Sequence, residues 1–158
     1  EALEDSLVDE TVSGAITALC RSIEPGDYFS LNAFLPFTGE GRREALEEIR
    51  HSIAERCRIP SCLEIGSRYL HSTGQLHKGG RNNGVFLVLS AEEPRDIEVE
   101  NAKAQSLGEL EKAQAMGDFS ILSSRGRRCV YIHLPDNSSV TLRLLSKVLR
   151  NVVARVTE

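Results

Sequence analysis

Five consecutive residues constrain this chain more than any others: Val85-Phe86-Leu87-Val88-Leu89, apolar at every position. A strand with one wet face alternates apolar and polar residues. A run without alternation needs cover on both faces, as in a parallel sheet between two layers of helices. Three more segments have strand character: residues 28–35, stopped by Pro36, then Ser61–Ile65, then residues 129–134. Helical periods fall between them. Leu3, Leu7, Val8, Ala15, Ile16, Leu19 and Ile23 form the first, ended by Pro25-Gly26-Asp27. Leu46, Ile49 and Ile53 form the second, over residues 42–57, with Arg43, Glu47 and Arg50 on its wet side. Residues 91–104 read as a polar surface loop. Ser106 and Glu109 form a capping box for a third helix carrying Leu107, Leu110 and Ala113, interrupted near Gly117 and ended by Gly126. A turn at residues 135–138 leads into a last helix, read with Val140, Leu144, Val148, Leu149 and Val152 on its buried face. Strand and helix alternate throughout, which predicts an α/β three-layer sandwich around a central parallel sheet.

At 158 residues the chain reads as a single domain, 1–158, able to bury roughly two thirds of its extended surface. The net charge is −4, with Lys and Arg scattered, so the basic stripe that nucleic-acid binding requires is absent. No apolar run reaches the ~18 residues that would span a bilayer. Cys20, Cys57, Cys62 and Cys129 form no CxxC pair and read as free, buried thiols, which fits a reducing cytoplasm. The chain opens on Glu1, and its one methionine is Met116. On that ground it reads as a piece cut from a longer polypeptide.

Chemistry concentrates between Tyr69 and Gly84. This stretch holds His71, Ser72, Thr73, Gln75, His77 and Lys78 among Gly74, Gly79, Gly80 and Gly84. Glycines allow the backbone close to a ligand. The hydroxyls of Ser72 and Thr73, the Gln75 amide and Lys78 suit binding of a sugar or phosphate, and His71 can exchange a proton near neutral pH. The segment follows a strand, where parallel sheets bind ligands. For the run from Gly79 to Gly84 the bland alternative is a flexible turn into the third strand. Gly74-x4-Gly79 is followed by Gly80-Arg81 rather than Lys-Ser or Lys-Thr, so it is not a nucleotide phosphate loop. A dinucleotide fingerprint is also absent. His71 and His77 are six apart with no adjacent carboxylate or thiolate, so neither a metal nor a cofactor is expected. No cysteine lies in the polar, glycine-rich setting of a nucleophile. His133 reads as structural, His51 as solvated, and Glu47 and Glu48 as a charged helix face.

The run from Ser67 to Gly80, SRYLHSTGQLHKGG, followed by Asn83-Gly84-Val85-Phe86-Leu87, resembles the phosphoglucose isomerase family. It is most similar to the isomerase half of transaldolase/phosphoglucose isomerase fusion proteins. The similarity continues at Gly26-Asp27-Tyr28-Phe29, Leu35-Pro36, Ser106-Leu107-Gly108, residues 113–118 and Gly126-Arg127-Arg128. It covers most of residues 24–135. The resemblance implies the second sugar-isomerase (SIS) domain, a flavodoxin-like sandwich, and interconversion of glucose 6-phosphate and fructose 6-phosphate. His71 matches the histidine that helps open the sugar ring. A glutamate then carries a proton between C2 and C1 through a cis-enediol, and Glu55 is the nearest candidate. The family's lysine is expected at the start of the last helix, where this chain has Ser139-Val140-Thr141, with Lys147 further along. The implied partners are a phosphorylated hexose, an N-terminal SIS half, a transaldolase half and a second copy in a homodimer. On this view the piece alone is inactive. The alternative is a non-catalytic SIS module that binds a phosphosugar or forms the dimer.

Overall fold

The computed structural model describes residues 2–36, 39, 41–93, 96–98 and 106–156, and of residues 2–10 only the backbone. In order, the elements are α1 (Ala2–Arg21), β1 (Tyr28–Phe34), α2 (Arg42–Cys57), β2 (Ser61–Ile65), a 3-10 turn (Arg68–His71), α3 (Thr73–Gly79), β3 (Gly84–Ala91), α4 (Leu107–Ser124), β4 (Arg128–Leu134) and α5 (Ser139–Val156). The four strands form one all-parallel sheet in the order β2-β1-β3-β4. The expected α/β sandwich is therefore present, and its strands fall within a residue or two of the expected bounds.

Side chains alternate between the faces of a strand, and here the two faces differ in kind. One face presents Phe29, Leu31, Ala33, Val85, Leu87, Leu89 and Ile132 to α1, α2 and α5, whose Ile16, Leu46, Ile49, Leu142 and Leu149 complete an apolar core. The other face packs under the 3-10 turn, α3 and α4. Its smaller apolar cluster, Phe34, Tyr69, Phe86, Val88, Ala115 and Leu122, shares that side with buried Ser30, Asn32, His77 and Asp118.

Two expectations about helices need correction. α4 runs unbroken through Gly117. A mid-helix glycine costs only about 1 kcal/mol, and Ala115, Asp118 and Leu122 around it are buried. The helix does stop where expected: Gly126 takes φ +67°, while Arg127 N–H reaches Leu122 O and Gly126 N–H reaches Ser123 O, the pairing of a Schellman cap. At the other end the Ser106 hydroxyl accepts from Glu109 N–H at 3.1 Å. In α5 the buried face is Leu142, Leu145, Ser146, Leu149, Val152 and Val153, whereas Val140 and Leu144 are exposed. Two adjacent apolar stripes wind along this helix, and docking against α1 and α2 selects one of them. The Leu3, Leu7 and Val8 side chains and most of residues 94–105 lie outside what is described.

At the amino-terminal edge of the sheet, Arg128 of β4 grips Asp27 just before β1. Its Nη1 donates to Asp27 Oδ2 at 2.6 Å and its Nη2 to Oδ1 at 2.9 Å. This clamp closes the end opposite to the one where ligands are expected.

Candidate functional site

Between β2 and β3 the chain crosses over β1, so β1 and β3 diverge at a topological switch point, the usual place for a ligand in such a sheet. A cleft of about 510 Å³ opens there, lined by Pro36, Gly66, Ser67, Glu93, Glu111 and the first turn of α4, among others. Its character is acidic. Burial, with Glu93 and Asp96 close by, pushes the Glu111 carboxyl up. Asp96 Oδ1 accepts from Gly108 N–H at 2.8 Å, and so takes a donor at the α4 start that a phosphate would otherwise use.

The segment singled out by its sequence follows β2. It is ordered as the 3-10 turn and α3, while residues 80–83 form the turn into β3. The anchor is Asp118 on α4. Tyr69 of the 3-10 turn donates its hydroxyl to Asp118 Oδ2 at 2.5 Å, and Lys78 of α3 brings Nζ to 2.6 Å from Oδ1. Burial and this carboxylate push the Tyr69 hydroxyl well above its ordinary range, so it serves as a donor. Gly74 lies against the Tyr69 backbone, where an added Cβ would meet the carbonyl oxygen at 2.9 Å. With Tyr69 and Lys78 turned inward, His71, Ser72, Thr73 and Gln75 are left exposed.

Lys78, expected to bind substrate, is therefore the counter-ion of a buried carboxylate. Its position in the last turn of α3, over α4, dictates this. Ser72 donates its hydroxyl to Tyr69 O at 3.2 Å and Gln75 its Nε2 to Leu70 O at 2.9 Å. Both keep acceptor oxygens for a ligand. Glu55 is not brought near His71. It lies on α2, which packs on the other face of the sheet, and it lines a surface groove with His51, Arg43 and Arg150. The sheet separates the two residues within one copy of the chain.

Two polar constellations escaped the sequence reading. The first joins β3 and β4, whose register pairs Ser90 with His133. Ser90 Oγ lies 2.7 Å from His133 Nδ1 and 2.6 Å from the Tyr131 hydroxyl. His133 Nε2 lies 2.7 Å from Glu92, which also receives Lys112 Nζ at 2.8 Å. Hydrogen bonds from Lys112 and His133 hold the Glu92 carboxyl below the usual range. Ser90 is buried, so its hydroxyl is not presented as an attacking nucleophile. Its sequence signal was a serine and a histidine near the ends of two apolar strands.

The second lies under α3. Cys62 Sγ, a Glu64 carboxylate oxygen and one His77 ring nitrogen lie within 4.8 Å of one another. Sequence distance concealed the group, since β2 supplies Cys62 and Glu64 while the chain travels through the 3-10 turn before His77 returns over them. Ser30 and Asn32, alternating along β1, were the visible sign of a polar face there.

No family model matches this chain, and no curated protein matches it. Among solved structures it is similar to the hypothetical protein TT0462 from Thermus thermophilus, with a TM-score of 0.69 and 16% sequence identity over 88% of this chain. That likeness is one of fold. The match covers 37% of the Thermus protein, so this chain spans little more than a third of its length. Among the described residues no helix is long and apolar enough to cross a membrane.

Proposed function

We propose that this chain is the C-terminal SIS domain of a phosphoglucose isomerase, acting within a larger protein on glucose 6-phosphate and fructose 6-phosphate. One observation carries the reading. The run SRYLHSTGQLHKGG, which resembles the isomerase motif, follows a strand of a parallel sheet and leaves His71 exposed to a substrate. In this role His71 works as a general acid–base group on the ring oxygen and hydroxyl of the sugar. Ser72, Thr73 and Gln75 offer hydrogen bonds to its hydroxyls. The carboxylate that moves the C2 proton and the groups that hold the phosphate come from an N-terminal SIS half or from the partner copy of a homodimer. Glu55 can take part only across such a subunit contact. A transaldolase half in the same chain and a cytoplasmic setting belong to the same proposal. The isolated piece is expected to be inactive.

A second reading, a non-catalytic SIS module for phosphosugar binding or dimerisation, is favoured by the engagement of Lys78 with Asp118 and by the acidic cleft. The discriminating experiment is His71→Gln in the full-length parent, assayed for isomerisation of the cyclic sugar phosphate. Turnover should fall by roughly 10²-fold, the scale of a positioned acid–base group, and by less on a substrate supplied in open-chain form. An unchanged rate would refute the catalytic role and leave the second reading.

A further inference from the structure

We propose that Cys62, Glu64 and His77 bind one zinc ion, tying the edge strand β2 to α3. Cys62 and Glu64 are two apart on one strand, so their side chains share a face. That face is the polar one, where β2 pairs in register with Ser30 and Asn32 of β1. α3 carries His77 over it. The three ligand atoms already lie within 4.8 Å of one another. Around a tetrahedral zinc with bonds of about 2.0–2.3 Å, neighbouring ligand atoms sit about 3.3–3.8 Å apart. Closing the site therefore asks for movement of about an ångström, which side chains on an edge strand can supply.

The donor set selects the metal. A thiolate with an imidazole and a single carboxylate suits zinc and is wrong for calcium or magnesium, which want oxygen cages. One thiolate and one carboxylate also balance a dication. Burial lowers the affinity of the His77 imidazole for a proton, which favours the neutral, ligating form. Burial likewise pushes the Cys62 thiol up, so zinc must displace a proton as it binds.

His77 itself provides the independent sign. The ring is 3% exposed, and its Nδ1 is buried with no hydrogen-bond partner. Buried polar atoms in native proteins nearly always have one. Ligation through Nδ1 gives this atom its partner. Tyr28, Tyr69 and Phe86 wall the imidazole at ring-centre distances of 5.9, 6.0 and 5.0 Å and fix its orientation. The nearby cations have other partners, although the Arg127 Nε is buried without one. Lys78 pairs with Asp118, and Arg127 donates to the carbonyls of Lys78 and Gly80. Three protein ligands leave a fourth position for water, on the partly exposed side of Cys62 and Glu64.

The test is titration of the chelator-stripped chain with cobalt(II), then zinc(II). One equivalent of cobalt should produce a thiolate-to-metal charge-transfer band, and zinc should abolish it by displacement. Binding near neutral pH should release about one proton per ion. Cys62→Ser should remove the band and weaken zinc binding by about 100-fold or more, and Glu64→Gln should keep the band while weakening zinc by about 10-fold or more. Cys57→Ser and His71→Gln should change neither. Alkylation followed by peptide mass mapping needs no substitution: zinc should protect Cys62 and leave Cys57 reactive. No charge-transfer band in the unsubstituted chain, or a band that survives Cys62→Ser, would overturn the site. So would protection of Cys57 in place of Cys62.

Discussion

The two faces of the sheet bury comparable elements by opposite means. On the side of α1, α2 and α5 the inward strand residues from Phe29 to Leu89 are aliphatic or aromatic, and the helices answer with Ile16, Leu46, Ile49, Leu142 and Leu149, with Ser146 of α5 a buried hydroxyl among them. On the side of α3 and α4 the strands bury Ser30 and Asn32, and the helices answer with His77 and Asp118. The first arrangement gains free energy from every atom removed from water. The second must satisfy each polar group it buries, because an unsatisfied one is costly. A small chain has no stability reason to build the second face. The dry face holds the fold, and the polar face carries the side chains on which the proposed function rests.

The largest effect that could break this division is on the dry face. Ile49→Ala empties a fully buried site and should cost about 2–5 kcal/mol, read as a lower midpoint in urea. A loss under about 1 kcal/mol would mean that α2 is not held by this core. The polar face should respond to charge instead of volume. Asp118→Asn strands the Lys78 ammonium, whose side chain is only 14% exposed, and should cost about 3 kcal/mol. Adding Lys78→Met should recover much of that loss. If the double variant is as unstable as the single one, Asp118 stabilises through Tyr69 alone.

The clamp at the amino-terminal edge sharpens the comparison through pH. Hydrogen bonds from the Arg128 guanidinium hold the Asp27 carboxyl below its usual range. A depressed folded pKa contributes stability that is fully present above the unfolded value, about 4, and is lost as pH falls through the lower folded value. Urea midpoints should therefore decline across the acid limb, and Arg128→Met should flatten that part of the decline. An identical acid limb in the variant would remove the clamp from the account. The smallest expected effect is at Ser106, whose hydroxyl caps α4. Ser106→Ala should cost about 1 kcal/mol, with Ser106→Thr largely neutral.

The dry face was legible in the sequence because aliphatic periodicity reports burial directly. Val85 to Leu89 placed a central strand, and Leu46, Ile49 and Ile53 gave the inner side of α2. Where two apolar stripes run side by side, as in α5, periodicity alone picks between them blindly. It points to Val140 and Leu144, while the fold buries Leu142 and Leu145. The polar face was only partly legible. Its densest stretch stood out at residues 69–80, yet the inward turn of Lys78 depends on Asp118, far along the chain on α4. The approach of Cys62 and Glu64 to His77 depends on the crossover between β2 and β3. Such contacts are made by topology, and local sequence carries no trace of them. Glu55 shows the converse: near His71 in sequence, it is placed by α2 on the far side of the sheet.

The most direct test of the division is a backbone amide NMR titration of the parent protein, labelled in this domain, with glucose 6-phosphate. Shifts should concentrate at the 3-10 turn and the start of α3, around His71, Ser72 and Thr73, with the amides of α1, α2 and α5 unmoved. Shifts centred on the α2 groove that holds Glu55 and His51, or no shifts at saturating sugar phosphate, would contradict the division.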